Sequence, residues 1–174
     1  MITYHAELRI LREARALITH PEHWTKGDLA CDSRGNRVAT DSPCAYAYCA
    51  RGSIWHTGNG AVGAAVNRVQ KRVDAVSTML YPCKASRLLR WLHPHVARVI
   101  ESEQRTVIYV NDWLGHDAVL RVFDTAIAQL EELCAEEDAI MLTHDRIRLM
   151  NRDNLAYAEA QKIACSDTKL ATSA

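Results

Sequence analysis

A thiol, an imidazole and a carboxylate suffice for nucleophilic catalysis if they converge. The base takes the thiol proton and the acid orients the base. In this chain the candidates for such a set are Cys49, His56, Asp112 and His116. Cys44, Cys49, His93 and His95 are the candidates for a metal centre, because thiolates and imidazoles are the usual ligands of zinc. Spacing argues against both sets. Cys44 and Cys49 are five residues apart, which on a helix turns them roughly 140° from each other. There is no Cys-x-x-Cys pair, and no protease or hydrolase signature surrounds Cys49. The expectation is no catalytic residue, no metal and no cofactor, with at least Cys134 and Cys165 buried as small hydrophobes. The protein is expected to be non-enzymatic. A small-ligand binder or hydrolase-like enzyme with a Cys/His/Asp pocket is the alternative.

Three of the six cysteines, two of the four tryptophans and four of the seven glycines fall between residues 24 and 58. Around them the pattern is that of amphipathic helix. Leu8, Leu11 and Ile18 share one face of a helix over 3–20, with Glu7, Arg9, Arg12 and Glu13 on the rest. His20-Pro21 ends it, since the residue before proline disfavours the helical region. Residues 29–31 and 37–39 flank Asp32-Ser33-Arg34-Gly35-Asn36, which predicts a β-hairpin near 28–40 with Gly35 or Asn36 at positive φ. Ser42-Pro43 is a helix-start signal, capping a helix from Pro43 to about Trp55.

Val62, Val66, Val69, Val73, Val76 and Leu80 predict a helix over 61–80, and a further helix runs over 86–103 with a break near Pro94. Thr106 to Val110 is either a strand or the entry to a turn at Asn111-Asp112. Gly115-His116-Asp117 opens the longest helix, and a last helix or helix pair covers about 139–165. The fold class is mainly α: a single-domain bundle of five to six helices over 1–165, a small hairpin insertion, and a flexible tail over 166–174.

The formal net charge is zero, but the charge is segregated. Residues 61–106 carry 8 basic and 3 acidic groups, while 107–174 carry 6 basic and 12 acidic. A basic middle can bind phosphate backbones. It can equally pair with the acidic end, within one molecule or across a homodimer, and an acidic segment on the same chain would repel nucleic acid. Internal or inter-subunit pairing is therefore the favoured expectation. The basic residues Arg68, Arg72, Arg87 and Arg90, with Trp91 beside them, are candidate partner-binding residues, as are Trp24 and Trp55. No apolar run reaches the roughly 20 residues that cross a bilayer. The start of the chain has no leader pattern, so a cytoplasmic location is expected.

Trp24-Thr25-Lys26-Gly27, the segment 32–38, Cys49-Ala50-Arg51-Gly52-Ser53 and Asn111-Asp112, with the helix over 6–20, together resemble a family of small bacteriophage and bacterial domains of unknown function. Residues 61–105 and 135–174 stand out as additions to that pattern or as strong divergence from it. The resemblance implies a phage-related origin and supplies no catalytic residues. The resulting expectation is a phage-type accessory protein that binds a macromolecular partner, a protein before a nucleic acid. Inhibition of a host defence system is its most specific form. The 24–58 segment is expected to be a packing unit docked on the first helix and on the turn at Asn111.

Overall fold

The structure, a computed structural model, describes residues 4–58, 63–82, 91, 95 and 106–171, with side chains as far as Leu155. It is mainly helical with a small two-stranded antiparallel sheet. The described elements run α1 (Tyr4–Leu17), a 3-10 turn (Pro21–His23), β1 (Ala30–Cys31), β2 (Ala47–Tyr48), α2 (Ala50–Thr57), α3 (Gly63–Leu80), α4 (Val107–Tyr109), a π-helical turn (Val110–Leu114) and α5 (His116–Ala171). Two compact units divide the chain, Met1–Cys134 and Ala135–Ala174.

In the first unit, α1 packs on α2 and α3. Its buried stripe is Glu7, Leu8, Ile10, Leu11 and Ala14, continued by Ile18 beyond the helix. These positions recur at three and four residues, the period of one helix face. Val69, Val73 and Val76 of α3, Ile54 of α2, Val107 and Val110, and Val119, Phe123 and Leu130 of α5 complete the core. Arg15 and Arg12 reach from α1 to Asp124 and Glu131 on α5, at 2.8 and 2.6 Å. Both pairs are open to water, Arg15 only in part, and add about 1 kcal/mol each at most.

Around the sheet the structure departs from the sequence reading. The turn at 32–36 forms as expected, with Gly35 at φ 82 and Asp32 N–H donating to Asn36 O at 2.9 Å. Residues 37–38 contribute only a bridge to Cys31 and a bond to Ala30; the ladder of β1 is made with β2 instead. That pairing consumes residues 46–49, so no helix starts at Pro43. Tyr46 N–H donates to Cys31 O and Cys49 N–H to Leu29 O. Ser42 Oγ accepts from Cys44 N–H in a local turn. Cys49 is the N-cap of α2 and accepts from Gly52 N–H at 3.3 Å. A non-local sheet partner overrides the Ser-Pro signal.

Residues 107–114 are neither strand nor simple turn but a helical turn widened to π geometry, with Gly115 N–H reaching Val110 O. The acidic stretch at 136–138 lies within α5. In the second unit, α5 exposes Ile140, Met141, Leu142, Ile147, Leu149, Met150 and Leu155. The helix expected over 86–103 lies outside the described residues, apart from Trp91 and His95. No described helix is long and apolar enough to cross a membrane.

Candidate functional site

Asn111, on the π-turn, is 1% exposed and ties three segments together. Its Oδ1 accepts from the Trp24 indole N–H at 2.7 Å and from Ala50 N–H at 3.1 Å. Its Nδ2 donates to Thr25 O at 3.0 Å and to Asp112 Oδ1 at 2.8 Å. Only an oxygen can serve the two N–H donors and only the NH2 can serve the two oxygens, so the amide has one orientation. Ala50 is the first residue of α2, whose leading N–H groups have no partner within the helix. Asn111 therefore caps α2 from a distant part of the chain, while Cys49 Sγ caps it locally.

Beside this hub lies a cleft of about 160 Å³ lined by Gly27, Asp28, Leu29, Arg37, Cys49, Arg51, Ile108, Asn111 and Asp112. Gly27 sits at φ 77, where a side chain would be strained, and its N–H donates to Asp112 Oδ1 at 3.2 Å. Asp28 pairs with Arg37 at 3.4 Å. The Arg51 guanidinium lies 4.7 Å from the Trp55 ring centroid, a cation–π contact. The π-turn also carries Trp113, 77% exposed and stacked on Tyr109, next to the exposed Leu114.

Of the Cys/His/Asp set, the cleft brings together only Cys49 and Asp112. His56 Nδ1 lies 2.5 Å from Thr40 O, with its ring on Tyr48. His116 Nε2 lies 2.6 Å from Ile18 O, with its ring on Trp24. Each ring nitrogen so placed must carry its proton to bond a carbonyl. Among the described hydrogen bonds, none joins Cys49 to a histidine. Burial pushes the Cys49 thiol up, only partly offset by the Gly52 and Arg51 N–H groups, and the Asp112 carboxylate adds to the rise. The thiol is held protonated, the weak form of the nucleophile. Of the metal set, Cys44 is exposed and Cys49 buried. His95 is exposed, and His93 lies outside the described residues. Among those residues no cluster of three His, Cys, Asp or Glu side chains could hold a metal.

The basic stripe is partly internal. Arg68 Nε donates to Glu7 Oε1 at 2.5 Å, and Arg72 faces Glu7 Oε2 at 3.7 Å. The sequence pattern places Glu7 on the solvent side of α1; in the structure it is 1% exposed, on the core stripe with Ile10, Leu11 and Ala14. That three-and-four spacing is the signal that could have found it. Arg87 and Arg90 lie outside the described residues. Trp24 is half-buried, Trp55 is 37% exposed and Trp91 79%.

Residues 4–129, about 70% of the chain, match a family described as a family of unknown function (DUF6197). The chain belongs to DUF6197. The matched stretch holds Asn111 and every residue of the cleft. It also runs through 61–105, so of addition and divergence the match favours divergence there, whereas 135–174 lies beyond it. No curated protein and no solved structure matches the chain.

Proposed function

We propose that this DUF6197 protein works by binding a protein partner at the rim of the Asn111 cleft, without catalysing a reaction. The observation that carries the reading is Trp113. A tryptophan 77% exposed to water is a poor use of apolar surface in a lone domain, and tryptophan is the commonest anchor of a protein interface. It stands on a turn held rigid by the four bonds of Asn111, so little ordering entropy is lost on binding. Ile108 and Leu114 extend the apolar patch, while Arg37, Arg51, Asp28 and Asp112 supply a polar rim. A host defence factor met in the host cytoplasm is the partner that the phage-type resemblance suggests.

The test compares wild type, Trp113→Ala and Trp55→Ala as bait in host lysate, with circular dichroism as the folding control. The reading expects a protein retained by wild type and weakened at least about tenfold by Trp113→Ala, the loss typical of a hot-spot residue. Identical profiles for wild type and a folded Trp113→Ala chain would defeat it.

A second reading, self-association, is favoured by α5. Its exposed apolar residues recur at intervals of seven, Ile140 with Ile147 and Leu142 with Leu149. Such a spacing suits helix pairing with a second copy.

A further inference from the structure

A second hollow, of about 420 Å³, opens between α1, α3 and α5 and shares no residue with the Asn111 cleft. Its polar lining is Glu7, Arg68, Lys71, Arg72 and Gln129, with the Tyr4 ring beneath the Arg72 guanidinium at 5.9 Å. Arg68 and Arg72 are one helical turn apart on α3, and Lys71 sits beside them. Arg68 and Arg72 therefore approach Glu7 from one direction.

Two buried atoms of the residues lining this hollow have unmet needs of opposite kind. Glu7 Oε2 is buried with no hydrogen-bond partner, because Arg72 stands off at 3.7 Å. Arg72 Nε is likewise buried and unbonded. Buried polar groups almost always find partners, and here one atom wants a donor while its neighbour wants an acceptor. Three cations against one carboxylate leave an excess positive charge, which calls for an anion.

We infer that the hollow is a binding site for a protonated phosphate group, whose P–OH donates to Glu7 Oε2 while its anionic oxygens accept from Arg72 Nε and the Lys71 ammonium. The carboxylate makes the site selective. Sulfate offers the same tetrahedral shape and at least as much negative charge but is fully deprotonated at neutral pH. It would set lone pairs against lone pairs at Glu7 and leave Oε2 unbonded. Arg68, tied to Glu7 Oε1, holds the carboxylate in place. The phosphate could be free or carried as a monoester, since both retain a P–OH near the monoester's second pKa, about 6.

The test is calorimetric titration of the full chain at about pH 6, the region of that pKa, at constant ionic strength. The probes are inorganic phosphate, sulfate and a nucleoside monophosphate. Expected is phosphate binding at least about tenfold tighter than sulfate, the worth of one charged hydrogen bond. Tighter binding of the nucleoside monophosphate than of phosphate would make a nucleotide the source; binding of phosphate alone would make it the free ion. Glu7→Gln, whose amide can donate, should bind sulfate as well as phosphate. Arg72→Gln and Lys71→Gln should weaken both. Equal binding of phosphate and sulfate by wild type overturns the inference, as does no binding beyond a chloride control. Both of these outcomes are read on wild type, so neither depends on a variant folding.

Discussion

Replacing Asn111 by alanine tests whether the hub holds the first unit together. The substitution removes the only described acceptor of Ala50 N–H, which is fully buried, and of the Trp24 indole N–H, which is half-buried. It also removes the donor to Thr25 O and Asp112 Oδ1. Each buried group left unbonded costs about 1–3 kcal/mol. Ala50 N–H should bear most of that cost, and the indole less because water reaches it in part. Thr25 and Asp112 are only partly buried, so water can take over some of their bonding. The sum is about 3 kcal/mol, which for a unit of this size lowers Tm by roughly 10 °C. Guanidinium unfolding of the full chain, followed by tryptophan fluorescence, reads the change. Asn111→Asp sharpens the test. It keeps the acceptor for both N–H groups but turns an oxygen toward Thr25 O and the Asp112 carboxylate, so it too should destabilise. A loss below about 0.5 kcal/mol for Asn111→Ala, the scale of a surface change, would refute the reasoning.

Gly52→Ala should destabilise by about 2 kcal/mol, although alanine is the better helix former by about 1 kcal/mol. A Cβ there would lie 1.8 Å from Leu29 O, a backbone atom already bonded to Cys49 N–H; a Tm at or above wild type would contradict this. Asp32 is held below the usual carboxylate range, first by the Asn36 side-chain amide and then by backbone N–H groups of the same turn. Its folded value lies below its unfolded value, so its contribution is present above the ordinary carboxylate pKa and lost as pH falls through the folded one. Amide resonances of Arg34 and Asn36 should therefore shift and lose protection together in an acid titration, and Asn36→Ala should move that transition to higher pH; a transition unmoved by Asn36→Ala would count against the turn as the cause. If α5 pairs with a second copy, wild type should run as a dimer in light scattering and Leu142→Lys with Leu149→Lys should return it to monomer. A monomeric wild type at high concentration would end that reading.

The elements whose signals are local were legible in the chain itself. Leu8 and Leu11 mark α1, Val69, Val73 and Val76 mark α3, Gly35 makes its turn, and Gly115 precedes α5. Each follows from contacts within about four residues, the reach of helix and turn propensities. Tertiary structure decided the rest. Ser42-Pro43 had the chemistry of a helix start, but the backbone of Leu29 and Cys31 claimed the residues after it for a sheet. Glu7 looked like solvent-face charge until Arg68, sixty-one residues along, gave it a partner. Cys49, His56 and His116 had catalytic types, yet backbone carbonyls of Thr40 and Ile18 hold the two histidines. Asn111 could be seen as a turn residue, but its bonds to Ala50 and Trp24 span 61 and 87 positions. A buried amide is satisfied by whatever the fold brings beside it, and no local pattern encodes which distant donors and acceptors those will be.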